Sequence, residues 1–453
     1  MTHFKSLLTL SFIALLLGCN TETSPKYVLF SGVIENPRGE KAFVSGKDFS
    51  HELTVNADGT FSDTLRVDQG YYSFSHAEMT TVFLSPGDSL HLALNTAQYD
   101  ESIAYTGTGA AANNYLAKKY LEKEQLTGDY KSLYLSDDAT YVKKNEEIKK
   151  ACLVLLEELK TTDPDFVRLE TKNLNYEFFG MLKYYESSHA YYVENPNFKA
   201  QDFVTQPLED LDVDNDSDYR IFASYQSLVA AEIMDYNTLM AYPDTLTSVI
   251  NRIKALKSEN IRNGLAKSLG GYLSPSYEGV KEIYSGVMEI SSNEEDKAAL
   301  TEKYNRISKL FRGEPAPKFN YINYAGGKTT MEDLAGKYLY FDIWATWCGP
   351  CIREIPYLKE VEKKYHDANI QFVSVSIDRL DDFEKWKTFI ADKELGGIQL
   401  YADGDWKSSI ITDYAIDGIP RFILVDPEGN IVSADAPRPS NPALVELLDD
   451  LVL

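Results

Sequence analysis

The chain has 453 residues, a formal net charge of −24 at neutral pH and only 4 cysteines. So acidic a surface argues against nucleic-acid binding and against docking onto anionic lipid. The length exceeds one ordinary domain, and 44% hydrophobic with 12% aromatic residues is enough for sizeable cores, so several folded regions are expected without disulfide staples.

The chain opens with one lysine in its first five residues, then an apolar run from Leu7 to Leu17 broken only by Thr9 and Ser11. Leu16-Leu17-Gly18-Cys19 closes the run. A positive start, a short apolar stretch and a small residue before the cut read as an export signal, too short to span a bilayer comfortably. Cysteine directly after Gly18 resembles a bacterial lipoprotein signal, although Leu17 stands where a smaller residue is usual. The expectation is that residues 1–18 are removed, Cys19 is lipidated and 19–25 form a linker. Acyl chains would then hold the protein to a membrane of the cell envelope, facing the periplasm. The alternative is a plain secretory signal with an incidental Cys19. No other segment reaches transmembrane length.

Residues 26–108 read as short strands of a small β-sandwich. Tyr27–Phe30 and Tyr71–Phe74 have strand composition, Val55–Phe61 contains an Asp58-Gly59 hairpin signal, and Phe83–Leu92 reads strand, turn, strand. Thr106–Gly109 marks the exit, and Asn113-Asn114 is expected to start a helix. This segment resembles a β-domain of unknown function found ahead of thioredoxin-like domains in envelope lipoproteins.

Residues 109–312 read as helical. Ile148, Cys152, Leu155 and Leu159 recur at helical spacing, which makes Cys152 a small core residue rather than a redox partner. Phe178-Phe179, Met181-Leu182 and Tyr184-Tyr185 give an aromatic stripe, suited to helix packing or to a client groove. Asp163 before Pro164, Asp214 and Asn293 are candidate helix starters. The acidic run Glu209–Asp218 imitates a calcium loop but lacks its glycine and closing glutamate, so it reads as a solvated loop with a helix cap.

Residues 313–453 hold the most informative motif, Trp347-Cys348-Gly349-Pro350-Cys351. The apolar run Tyr338–Trp344 reads as a buried strand, and Ile352, Ile355, Leu358 and Val361 have helical spacing. Strand, Cys-x-x-Cys, then helix is the thioredoxin arrangement. At the helix N-terminus the unpaired N–H groups and the dipole stabilise a thiolate, so Cys348 is expected to attack. Cys351, less exposed and one turn further in, is expected to resolve the mixed disulfide, with Cys348–Cys351 the redox pair. A zinc site would need two further Cys or His ligands nearby, and none is at hand; no metal or other cofactor is expected. A peroxidase is disfavoured by Ala345, which stands where such enzymes place a hydroxyl residue.

From about Glu314 to the C-terminus the chain resembles the TlpA/ResA-like thiol–disulfide oxidoreductases of the thioredoxin superfamily. The resemblance rests on Ala316-Pro317-Lys318-Phe319, on Asp342 six residues before Cys348, on Glu354 and Pro356 after Cys351, on Gly418-Ile419-Pro420 and on Val425–Asn430. It implies a C-terminal α/β thioredoxin-like fold. Asp342 would be a buried acid that takes the proton of Cys351; the alternative is a strand-end acid paired or solvated at the surface. Glu354 would be a second catalytic acid, or an ordinary exposed helix glutamate. Ile419-Pro420 would be a cis pair presenting backbone to an extended substrate, beside Trp347, Gly349 and Pro350. Arg421 departs from the pattern: it would stabilise thiolate, select acidic partners or point to solvent.

The implied function is reduction of disulfides in client proteins, with a membrane-bound or periplasmic electron donor, in cytochrome maturation or envelope thiol repair. Oxidase or isomerase activity stays open. So does a binding or scaffold lipoprotein whose redox domain is an accessory sensor.

Overall fold

The computed structural model describes residues 27–47, 49–159, 163–235, 245–277 and 279–452. The export signal and Cys19 lie outside the described residues. Two compact units divide the chain: residues 1–212 with 217–228, and 213–216 with 229–453. The helical stretch from 109 to 312 is thus shared between them. Among the described residues no helix is long and apolar enough to cross a membrane.

The first unit begins with eight strands: β1 (Val28–Glu35), β2 (Lys41–Gly46), β3 (Phe49–Thr54), β4 (Thr60–Leu65), β5 (Gly70–His76), β6 (Glu78–Leu84), β7 (Ser89–Asn95) and β8 (Ala104–Gly107). They form two four-stranded sheets, ordered β4-β1-β7-β8 and β3-β2-β5-β6. β1 alternates buried and open positions, the pattern of a strand with one face in a core. The shared core holds Phe30, Phe61 and Phe74, with ring centroids 5.4 Å apart for Phe30–Phe61 and 5.8 Å for Phe30–Phe74. This is the β-sandwich.

One local reading changes. Asp58-Gly59 makes a turn, with Gly59 at φ +81°, but not a hairpin: β3 pairs with β2, whereas β4 pairs with β1. Phe83–Leu92 is the expected strand, turn, strand, with β6 and β7 pairing with β5 and β1 in different sheets. Turn chemistry sets the reversal, whereas burial of the phenylalanines between the sheets decides which strand is the partner.

Helix α1 (Ala110–Thr127) starts three residues earlier than Asn113 suggested. Its two asparagines instead mimic strand neighbours. The Asn113 amide accepts from Phe83 N and donates to Phe83 O, both at 2.8 Å; Asn114 does the same for Tyr105 at 2.8 and 2.9 Å. They satisfy backbone groups of β6 and β8 that no neighbouring strand reaches.

Helices α2 (Asp138–Glu157) and α3 (Pro164–Tyr192) follow. Asp163 caps α3 through the N–H groups of Asp165 and Phe166. Cys152 is fully buried with a free thiol, which burial pushes up to about 11. Its helix neighbour Leu156 is buried, whereas Leu155 is only half-buried. Glu170 is buried and accepts from Lys119 Nζ at 2.6 Å and Tyr71 Oη at 2.6 Å, so its charge is paired and hydrogen-bonded.

In the second unit the helices α4 (Leu246–Ala255), α5 (Glu259–Gly271), α6 (Val280–Ile290) and α7 (Glu294–Ile307) precede a seven-stranded sheet. Asn293 caps α7. Asp214, expected to start its own helix, receives the N–H groups of Lys257 and Ser258 at 2.7 and 2.9 Å, just ahead of α5.

The sheet comprises β9 (Asn320–Asn323), β10 (Lys328–Thr330), β11 (Tyr338–Trp344), β12 (Ile370–Ser376), β13 (Ile398–Tyr401), β14 (Arg421–Val425) and β15 (Ile431–Ser433), ordered β10-β9-β13-β12-β11-β14-β15. β11, β12 and β13 run parallel; β14 is antiparallel to β11. Helices α8 (Gly349–Lys364), α9 (Phe383–Lys393) and α10 (Pro442–Val452) cover it. The period of two sends Phe341 and Ile343 into a core with Trp386 and Ile390 of α9, and Tyr340 into another with Leu358 and Val361 of α8. A central strand buried on both faces reads as the continuous apolar run seen in the sequence. The one break, Asp342, faces α8. The chain is therefore multidomain: a β-sandwich, a helical region and a C-terminal α/β thioredoxin-like fold.

Candidate active site

β11 ends at Trp344, and Ala345-Thr346-Trp347 carries the chain over to α8. Cys348 caps that helix: its sulfur accepts the N–H of Cys351 at 3.2 Å, and its carbonyl accepts the N–H of Ile352 at 3.0 Å. Pro350 falls in the first turn, where a missing N–H costs nothing. Cys348 and Cys351 form a disulfide with Cα atoms 5.3 Å apart. Both are nearly covered, at 4% and 3% exposure, so the expected contrast between an open attacking sulfur and a sheltered one is slight in this oxidised form. Gly349 and Pro350 beside them are exposed, and Trp347 is 49% exposed with its ring 6.4 Å from that of Trp406. The Ile419-Pro420 peptide bond is cis, and Ile419 packs against the core cluster that contains both cysteines.

The turn ahead of Cys348 is held from β12. Asp378, buried past the end of that strand, accepts from Thr346 N at 2.9 Å, Thr346 Oγ1 at 2.8 Å and Ser376 Oγ at 2.8 Å. Asp378→Ala leaves the buried N–H and hydroxyl of Thr346 without these acceptors. We expect it to lower stability by roughly 2–3 kcal/mol and to broaden the amide resonances of the Thr346–Cys348 turn, read by denaturant titration and NMR. A variant as stable and as ordered as the parent would contradict this role.

Asp342 is buried, and Ser374 Oγ lies 3.5 Å from its Oδ2. Burial is the main reason its pKa rises to about 7; the hydrogen bond from Ser374 opposes the rise, and the nearby negative charges of Glu362 and Glu354 add to it. Its environment is therefore not the surface alternative. Glu354 is buried too, and its two oxygens accept from Ser440 N and Ser440 Oγ, each at 2.9 Å. The exposed-glutamate alternative does not hold. Arg421 pairs with Asp435 at 2.6 Å, so its charge is met inside the domain rather than offered to a thiolate or to an acidic partner.

Comparisons with known proteins agree on one family. The Redoxin family matches residues 311–448. A thiol–disulfide oxidoreductase ResA from Bacillus thuringiensis (strain Al Hakam) is 30% identical over 124 residues, covering 27% of this chain and 69% of the relative. The chain belongs to the ResA-like thiol–disulfide oxidoreductases. The ResA of Bacillus subtilis (strain 168) is 25% identical over 125 residues, 27% of this chain and 66% of that protein. Among solved structures, the thioredoxin domain of a thiol–disulfide oxidoreductase from Bacteroides vulgatus is 31% identical, covering 32% of this chain and 99% of that one, with a TM-score of 0.29. By its identity to ResA this chain is an oxidoreductase enzyme.

Four residues of this ResA-like domain escaped the sequence reading: Asp378, Ser374, Gln399 and Glu362. Gln399 is the lone polar residue of its strand, which is its only signal, whereas Ser374 shares its strand with Gln371 and Ser376 and gave none. Asp378 and Glu362 gave none, because an acid after a strand or on a charged helix is usually solvated.

Proposed function

We propose that this chain reduces disulfides of client proteins in the cell envelope through its Cys-Gly-Pro-Cys pair. The observation that supports this most is a disulfide at the first turn of α8, bordered by exposed Trp347, Gly349 and Pro350, in a domain that also holds a cis bond at Ile419-Pro420. Reduced Cys348 attacks the client; a mixed disulfide forms and the client's other sulfur leaves as thiolate. Cys351 then displaces the client sulfur, re-forming the Cys348–Cys351 bond, and its proton passes to Asp342. Two electrons go to the client, and an external dithiol donor restores the pair. Glu354, fixed by Ser440, assists by adding negative charge near Asp342, which favours its protonated form. Trp347, Gly349, Pro350 and Ile419 form the surface for an extended client segment. Gly-Pro between the cysteines is the pair that thioredoxin, a reductant, also carries, and it favours electron donation.

Lipidation at Cys19 after removal of residues 1–18 would place the enzyme at the envelope, facing the periplasm, with a membrane-bound or periplasmic donor. Cytochrome maturation or thiol repair would supply the clients. The domains proposed are 26–108, 109–312 and 313–453. Dithiothreitol-driven insulin reduction tests the activity: turnover is expected for the parent chain. A titratable pair without turnover would instead favour the scaffold reading, in which the pair only senses redox state.

A further inference from the structure

Three adjacent strands line up one polar residue each. Asp342 on β11 is in register with Ser374 on β12, and Ser374 with Gln399 on β13. In register, they share a face of the sheet, the one covered by α8. On that helix Cys351, Ile355, Leu358 and Glu362 follow at intervals of four, three and four, so they too share one stripe. Cys351 lies at its buried start and Glu362 near its far end. Between sheet and helix is a cavity of about 10 Å³, lined by Asp342, Ser374, Gln399, Glu362 and Lys359 among others. That is the space of one water molecule.

Two details point to an occupant. Gln399 is 5% exposed; its amide N–H bonds to Gly396 O at 2.7 Å, but its buried amide oxygen has no partner in the protein. A buried acceptor left so is costly, and a water in the cavity satisfies it. Second, the Glu362 carboxylate rests on Gly396-Gly397. A Cβ at Gly396 would lie 2.6 Å from Glu362 Oε2, and one at Gly397 would lie 3.0 Å from Oε1. Only glycines leave that seat open. The other charged group lining the cavity, Lys359, donates to Lys393 O at 2.6 Å, outside the row.

We propose that this cavity holds one water, donated to Gln399 Oε1, which links Asp342 to Glu362 and forms the route by which Asp342 exchanges its proton with solvent. This rests on the reading above that Asp342 takes and returns the proton of Cys351. In one direction the Asp342 carboxyl gives its proton to the water, the water gives one to the Glu362 carboxylate, and Glu362 releases it to solvent. In the other the order reverses. No bond other than O–H changes and no electron moves. The route lets the pair cycle while a bound client covers the Cys348 side. Burial also raises the proton affinity of Glu362, with Lys359 opposing.

The test uses the full oxidised chain, reduced by dithiothreitol in a stopped-flow instrument and followed by tryptophan fluorescence. Above the midpoint of Asp342, at about pH 8, Asp342 is ionised and must draw the proton for Cys351 through the route. Glu362→Gln is expected to slow reduction about tenfold there, but less than about twofold at about pH 6, where Asp342 is already protonated. Glu362→Ala should be slowed likewise and restored by added formate. Gln399→Leu, which removes the water's acceptor, should share the pH-selective slowing, and Glu362→Gln should add nothing to Asp342→Asn. Parent-like rates for Glu362→Gln and Gln399→Leu at both pH values would overturn the proposal. So would equal slowing at both pH values without formate rescue, the mark of a merely structural role. Because dithiothreitol acts on the pair directly, a chain that exchanges with it but leaves insulin intact would sink the reductase reading alone.

Discussion

Cys348→Ser is expected to lower client-disulfide reduction by at least about a thousandfold, whereas Cys351→Ser should stall at a stable mixed disulfide. The asymmetry follows from position on α8. Cys348 is the cap, and its sulfur already receives the N–H of Cys351 in the oxidised form. Once the bond is reduced, the same N–H and the helix N-terminus would favour a thiolate at Cys348, the basis for expecting it to be the nucleophile. Serine has no comparable anion at neutral pH, so attack is lost. With Cys351 replaced, attack proceeds but nothing displaces the client. Non-reducing electrophoresis and mass spectrometry of each variant, incubated with a disulfide-containing protein, provide the measurement. Adducts on Cys348→Ser but not on Cys351→Ser would reverse the two roles.

Asp342→Asn is expected to stabilise the thioredoxin-like domain by roughly 3–4 kcal/mol at about pH 8 and by little at about pH 4. The native carboxyl has its pKa raised to about 7, chiefly by burial. In the unfolded chain it returns to an ordinary value of about 3.9. Between these values the native state holds a proton that the unfolded state has released, so stability falls as pH rises through the window. Above about 7 both states are ionised and the full cost of a buried charge is present. Asparagine never ionises and escapes that loss. All four tryptophans, Trp344, Trp347, Trp386 and Trp406, lie in this domain, so their fluorescence during denaturant unfolding reports on it alone. A stability difference equal at the two pH values would show that Asp342 does not titrate in this range.

Both predictions depend on features of different legibility. Cys-Gly-Pro-Cys between an apolar run and a helical repeat is a local pattern: three residues of separation and one helix start bring the sulfurs together whatever the rest of the chain does. The capping by Asp163 and Asn293 and the buried helix position of Cys152 were legible for the same reason, since each involves neighbours within about one turn. Asp58-Gly59 shows the limit. Its turn was readable, but its strands pair in different sheets, because partner choice is made by the core between the sheets.

The sequence by itself determined the Cys348–Cys351 pair at the start of a helix, the net acidic charge, and the succession of strand-rich, helical and α/β segments. Only the tertiary structure decided that Asp342, Ser374 and Gln399 stand in one row facing Glu362, that Glu354 is tied to Ser440, that Arg421 is neutralised by Asp435, and that Asp378 holds the turn before Cys348. The partners in these pairs lie between 14 and 86 positions apart along the chain. Periodicity can place a polar side chain on a buried face, but strand register and helix packing choose what it meets there and how deeply it is covered, and for Asp342 that burial, opposed by Ser374, raises the carboxyl's pKa.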